Sequence, residues 1–254
     1  MMESISMHTF RTRFGKNIVA DFLPPRKRSN KVVIFCPGMP SDPSRPDLIR
    51  YFSGKGYWFF SFRYRGSWES GGKFLKRSPE KDVLDIIGQL PKGFTSAWDK
   101  KEFSIKRPEI YLIGTSFGGA AAILASRDKR VKKAVALSPV VDWKALIVSG
   151  ETVDWTYRFT RNWFGEVYRW DKKDSDKLKN GKFYNPAAQI RRIDGKKLLI
   201  VHAKDDKVIP FGPVKKFARE TGAKFLLLKK GGHLSASILV KPGLYKRVAP
   251  FLRS

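Results

Sequence analysis

One cysteine, Cys36, stands in 254 residues, which excludes an internal disulfide and fits a reducing, cytoplasmic setting. Amide side chains are also scarce, with two Gln and five Asn, a leaning of heat-adapted proteins from which the low Glu content departs. Only three histidines, His8, His202 and His233, are available to any chemistry that needs an imidazole. No apolar run approaches the roughly 20 residues a membrane-spanning helix requires. The start, Met1 to Met7, has no basic segment leading into an apolar one, so a soluble intracellular protein is expected.

Negative charge is in short supply: 23 Asp+Glu stand against 51 Lys+Arg, for a net charge of +28. The basic residues are spread through the chain, at Arg26 to Arg28, Arg63, Arg65, Lys129 to Lys133, Lys172, Lys173, Arg191, Arg192, Lys215 and Lys216. They form no single arm or recognisable nucleic-acid motif. The expectation is a solvated surface with nonspecific attraction to anionic surfaces or polymers, and no specific nucleic-acid partner. The sequence leaves the oligomeric state open.

What is present is organised around residues 110–124. Ile110 to Ile113 is an apolar run of strand length, and an Ala-rich helical run begins beyond Gly119. Ser116 lies at the turn between them. A residue there adopts a strained backbone, and strand and helix close on it only where the positions two before and two after lack side chains. Gly114 and Gly118 meet that demand, giving the Gly-x-Ser-x-Gly nucleophile elbow. The Phe117 backbone N–H, at the start of the helix, is then one donor to an oxyanion.

On either side, strands alternate with helices. Strands are expected over 4–10, 17–23, 31–36, 57–62, 133–137, 197–202 and 224–228, and helices over 47–55, from a Ser78 cap to Leu90, around 214–219 and over 244–252. That alternation predicts one α/β domain with a mostly parallel sheet, helices on both faces, and ligands at the carboxyl ends of the strands. Residues 141–185 interrupt it with an aromatic-rich helical segment. We expect a core of 1–140 and 186–254 with 141–185 inserted as a lid. Its aromatics serve either a miniature core of their own or an acyl pocket, for which Trp143, Trp155, Phe159 and Trp163 are the candidates. The charged run Asp171 to Lys179 reads as a solvated face.

A serine nucleophile needs a base and a group to orient it. His8 is far from any carboxyl strand end, and His202 ends a strand where packing is the ordinary role. His233 follows the last strand, next to two glycines, Gly231 and Gly232, that let its loop bend, and alone comes after an acidic loop. From the residues, the acid is Asp205 or Asp206, with Asp142 a weaker substitute.

Gly114-Thr-Ser116-Phe-Gly118, His202-Ala-Lys-Asp-Asp206-Lys-Val-Ile-Pro210 and Gly232-His233 together resemble the α/β-hydrolase fold, in its serine aminopeptidase, prolyl-oligopeptidase-like and esterase branch. There the acid is the fourth residue after a His-Gly pair and the fourth before proline, which maps onto Asp206. The resemblance also implies a second oxyanion donor after a His-Gly pair, matching the N–H of Met39, although Cys36-Pro37-Gly38 replaces that pair here. Arg65-Gly66 resembles the family's Asp-x-Arg-Gly turn, with Arg63 in the aspartate position, and reads as structural or pocket-rim. Cys36 reads as a small buried residue.

The implied enzyme is a serine carboxylic ester hydrolase acting through an acyl-serine, without metal or organic cofactor, on short to medium or aromatic acyl esters, with feruloyl and polyester compounds as an extension. Aminopeptidase, acylaminoacyl-peptidase and acyl-CoA thioesterase activities would use the same residues. A non-catalytic binder of anions or nucleic acid is the reading from another class.

Overall fold

The computed structural model describes residues 8–149 and 152–254. In chain order its elements are β1 (Phe10–Phe14), β2 (Ile18–Leu23), β3 (Lys31–Cys36), α1 (Pro46–Gly54), β4 (Trp58–Phe62), α2 (Glu80–Gln89), a short ribbon of β5 (Phe94–Thr95) and β6 (Glu102–Phe103), and β7 (Glu109–Thr115). There follow α3 (Phe117–Ala125), β8 (Val131–Leu137), α4 (Val153–Phe164), α5 (Lys172–Asp176), β9 (Leu198–Ala203), α6 (Phe211–Thr221), β10 (Lys224–Leu228) and α7 (Pro242–Arg253).

Eight strands form one sheet in the order β1-β2-β4-β3-β7-β8-β9-β10. β1 and β2 form an antiparallel hairpin at one edge, β2 runs antiparallel to β4, and the remaining pairs are parallel. The chain reverses its direction of travel across the sheet between β3 and β7, the place where an open α/β sheet leaves a crevice. Register aligns the strand ends along that edge: Cys36 pairs with Gly114, Leu137 with Thr115 and Val201, and Ala203 with Leu228.

The continuous apolar runs are continuous because both faces are covered. Val32, Ile34, Ile110, Leu112, Ala134, Ala136, Leu198 and Ile200 point into one buried cluster with α2, α3 and α6. Val33, Phe35, Tyr111, Ile113, Val135, Leu137, Leu199 and Val201 point into the other with α1 and α7. Every residue of α3 is buried, so its Ala and Gly composition reflects close approach on all sides.

Several expectations are corrected. The first strand runs over 10–14: positions 4–7 lie outside the described residues, and His8 and Thr9 precede β1. Phe10, Thr12 and Phe14 alternate with Arg11 and Arg13, and that period places Thr12 and Phe14 inside. Ser78 does not cap α2, because its hydroxyl goes to the Glu80 carboxylate. The aromatic segment 141–185 has no core of its own. Trp143, Leu146, Val153, Tyr168, Trp170, Leu178 and Tyr184 are continuous with the cluster on the α3 face. Nor is 171–179 wholly solvated: Asp174, Ser175 and Leu178 are buried, and Lys177 bonds the Asp174 carboxylate at 2.6 Å and the Leu75 carbonyl at 2.9 Å. Among the described residues, no helix is long and apolar enough to cross a membrane.

Candidate active site

Ser116 joins β7 to α3 with φ 52° and ψ −118°, a backbone that side chains disfavour. Its N–H donates to Leu137 O at 2.9 Å, and its carbonyl accepts from Gly119 at 3.0 Å and Val140 at 3.1 Å, so the strained turn is held from three sides. Neighbouring glycines are required by space. A Cβ on Gly114 would stand 2.9 Å from Ala122 Cβ, one on Gly118 would stand 2.5 Å from the Cys36 carbonyl carbon, and one on Gly119 would stand 2.6 Å from Pro139 Cβ. α3 therefore starts in direct contact with the loop after β3. The N–H groups at its first turn lack intrahelical acceptors, and Phe117 is the first of them.

Two neighbouring parallel strands carry the next parts of the site. Asp206 follows β9 with its side chain fully buried, and accepts from the N–H groups of Val208 at 2.9 Å and Ile209 at 3.0 Å. His233 follows β10 and brings Nδ1 to 3.0 Å from one Asp206 oxygen and 3.2 Å from the other. Burial works to raise the Asp206 pKa, but the His233 hydrogen bond, the Ile209 N–H and the imidazole charge outweigh it and bring the pKa down to about 2. An ionised carboxylate only accepts, so in the neutral imidazole Nδ1 carries the proton and Nε2 of His233 is left with a lone pair.

The other candidates fall elsewhere. Asp205 is exposed and accepts from Gly232 N–H at 2.9 Å, shaping the histidine loop. Asp142 accepts from Asn185 at 3.0 Å and Lys144 N–H at 3.1 Å. His202 is fully buried with Nε2 2.9 Å from Ile209 O, and desolvation lowers its pKa. Nε2 then holds its proton toward that carbonyl, and Nδ1 has no partner among the described residues. His8 is exposed before the edge hairpin. Cys36 is fully buried, and burial pushes its thiol pKa far up. Arg63 is buried against Asp21 at 2.6 Å and Glu69 at 3.1 Å, and Arg65 bonds Asp82 and Asp85, so both tie the hairpin and α2 to the loop after β4.

Ser116 and His233 open into one cavity of about 520 Å³. Its wall is mostly apolar, including Met39, Phe117, Trp143, Trp155 and Phe159, with Asp42 and Arg45 as its charged residues. Trp163 is the exception among the aromatic candidates: it does not line the cavity and is 75% exposed. The helical period explains this, since each four-residue step on α4 rotates about 40°, and the third ring in the series has swung off the wall.

Sequence reasoning passed over two positioning groups. Ser138, at the end of β8, accepts from Leu234 N–H at 3.1 Å, and its hydroxyl also helps to hold the Asp206 pKa down, so one side chain acts on both the acid and the histidine loop. Its φ of 42° marks it as held in place. Tyr184, also at positive φ, donates its buried hydroxyl to Phe117 O at 2.6 Å. A polar residue at the carboxyl end of the strand between those carrying Ser116 and Asp206 was the available signal for Ser138.

The model of the prolyl oligopeptidase family matches residues 45–253. Among solved structures, an esterase of Pyrococcus furiosus, Pf2001, superposes with a TM-score of 0.68 at 20% identity over 97% of this chain and 89% of that one. The acylaminoacyl peptidase of Pyrococcus horikoshii superposes with a TM-score of 0.64 at 18% identity, over 97% of this chain but 41% of the larger protein. A curated relative, the polyketide transferase grgF of a Penicillium species, is 30% identical over 122 residues, which is 46% of this chain and 40% of that relative's length. The structural likenesses, all at low identity, establish the α/β-hydrolase fold.

Proposed function

The chain belongs to the prolyl oligopeptidase family of hydrolases, and from that premise we propose that it is a serine carboxylic ester hydrolase in which Ser116 is the nucleophile, His233 the general base and Asp206 the orienting acid. The observation that carries the reading is the buried Asp206 carboxylate 3.0 Å from His233 Nδ1, with His233 and the strained Ser116 sharing one apolar cavity. The ionised acid fixes the tautomer that leaves Nε2 able to take a proton. Nε2 takes the Ser116 hydroxyl proton as Oγ bonds to the substrate carbonyl carbon. The N–H groups of Phe117 and Met39 receive the oxyanion. On collapse His233 gives that proton to the departing alcohol oxygen, leaving an acyl-Ser116. Water then repeats the sequence, with His233 as base and then acid, to release the carboxylic acid.

The apolar wall with Trp143, Trp155 and Phe159 supports short to medium or aromatic acyl groups, with residues 141–185 acting as a lid over the core. The family and the peptidase neighbour favour a second reading, cleavage of acylaminoacyl amides by the same residues. The single buried cysteine supports a cytoplasmic setting. Hydrolysis of a chain-length series of p-nitrophenyl esters, with an aminoacyl anilide alongside, tests the proposal in the wild type, Ser116→Ala and His233→Ala. Ester turnover lost in both variants is the expected result. Faster anilide turnover would favour the peptidase, and a folded wild type inert to both would overturn the assignment.

A further inference from the structure

Trp155, Phe159 and Trp163 climb α4 at four-residue spacing, with Trp155 stacked on Phe159 at 5.0 Å between ring centroids and Phe159 6.2 Å from Trp163. The first two line the cavity and the third stands beyond it. Trp155 is 41% and Trp163 75% exposed, while Val153 and Thr160 on the same helix are buried. The helix is thus seated on the core and still presents an aromatic edge to water, continuous with the cavity wall. An exposed run of large rings forfeits the burial it would gain in an apolar phase and marks an interaction surface.

Among the described residues, the acids of α4 and the turn after it are paired while some basic residues are left over, and Asp42 on the cavity wall is exposed and forms no ion pair. Asp154 is neutralised by Lys172 and Lys179, and Glu166 by Arg161 at 3.0 Å. Arg158 on α4, and Lys144 and Lys182 on the adjoining segments, are exposed and form no ion pair among the described residues. We propose that this aromatic edge docks the protein on an anionic phospholipid surface. Trp163, with Trp155 behind it, enters the headgroup layer, and Arg158, Lys144 and Lys182 face lipid phosphates, so that the cavity mouth opens toward the bilayer. Charge argues against a second copy, since two chains of net charge +28 repel. Ring geometry disfavours single-stranded nucleic acid, because Trp155 and Phe159 lie 11° from coplanar and stack on each other, so each offers a base at most one face. The proposal is independent of which acyl compound the site takes.

The test is co-sedimentation of the full chain with phosphatidylcholine vesicles made with and without phosphatidylglycerol, for wild type, Trp163→Ala and Arg158→Glu. Wild type is expected to sediment with the anionic vesicles alone, in a salt-sensitive way. Trp163→Ala should weaken that partition about tenfold while leaving the thermal midpoint and hydrolysis of a water-soluble ester unchanged, and Arg158→Glu should weaken it further at low salt. Wild type left in the supernatant, or Trp163→Ala partitioning like wild type, would overturn the proposal. So would two alternative outcomes: a wild-type dimer that Trp163→Ala dissociates in sedimentation velocity, making the edge a subunit interface, or binding of a single-stranded oligonucleotide that depends on Trp163. The vesicle readout needs no turnover, so it stands or falls apart from the proposed hydrolysis.

Discussion

Replacing Gly118 by alanine places one methyl group where the start of α3 meets the loop after β3. The new Cβ would stand 2.5 Å from the Cys36 carbonyl carbon, with the Cys36 and Pro37 oxygens nearer still. Carbon atoms rest about 3.5–4.0 Å apart, so helix and loop must separate by roughly 1 Å. Neither side yields easily: α3 is buried along its whole length, and the intruding atoms are backbone. Overpacking of this kind costs about 1–3 kcal/mol. The same 1 Å parts Phe117 from Met39, the two proposed oxyanion donors, and a misplacement of that size costs on the order of 100-fold in rate. Gly118→Ala is therefore expected to unfold at lower urea and to lose about two orders of magnitude in kcat on a p-nitrophenyl ester. Gly212→Ala is the control: it lies in the first turn of α6 with nothing within 4 Å of the added Cβ, and should be stabilised by about 0.4–1 kcal/mol at unchanged kcat. A Gly118→Ala enzyme with wild-type kcat would refute the reasoning, because the loop and helix would then not be holding the reacting atoms.

Asp206→Asn should lower kcat by about 10³–10⁴-fold, by releasing the histidine tautomer, and should also change the acid limb of stability. The Asp206 pKa is depressed on folding to about 2, so its contribution, roughly 2 kcal/mol, is complete above the unfolded value near 4 and is lost as pH falls through about 2. Urea unfolding between these limits should therefore flatten in the variant relative to wild type, and parallel curves would count against the buried pair. Ser138→Ala, which removes the acceptor of the Leu234 N–H and a hydroxyl that helps to hold the Asp206 pKa down, should reduce kcat about tenfold with KM nearly unchanged and shift the pH–rate profile. A stability loss with an unaltered profile would mean that Ser138 serves the fold alone.

The parts legible in the sequence were those with a local physical signature. Gly114 and Gly118 flank Ser116 because no side chain fits there, and the runs at 32–36, 110–113 and 198–201 are apolar because the sheet is covered on both faces. The parts that were missed depend on partners distant in sequence. Nothing near Ser138 says that its hydroxyl accepts from Leu234, 96 residues away in the histidine loop. Nothing within 171–179 says that Asp174 is buried, since its face is set by the loop carrying Leu75. Trp163 was misjudged for a different reason. Counting aromatics gives their number, but the 40° rotation per four residues decides which of them reach the cavity.

The departure from His-Gly at 36–38 bears on how the 141–185 segment and the site depend on one another. Without that pair, the loop after β3 is pinned by other groups: Tyr64 donates to Pro37 O at 3.3 Å, Ser41 Oγ to Gly38 O at 2.7 Å, Trp68 Nε1 to Ser41 O at 3.1 Å, and Ser41 N–H to the Tyr168 hydroxyl at 3.2 Å. Tyr168 belongs to the aromatic segment, which is itself laced to the loop after β4 through Trp68 N–H to Val167 O, Arg169 N–H to Gly66 O and Phe74 N–H to Arg169 O at 2.7–2.8 Å. The carbonyls of residues 37, 38 and 41 are thereby occupied from one side, which keeps the Met39 peptide from turning freely. The far end of the 141–185 segment, at Tyr168, thus helps to hold the loop proposed to supply the second donor, while its near part walls the cavity. A change at Tyr168 should then reach turnover through that loop even though Tyr168 does not line the cavity.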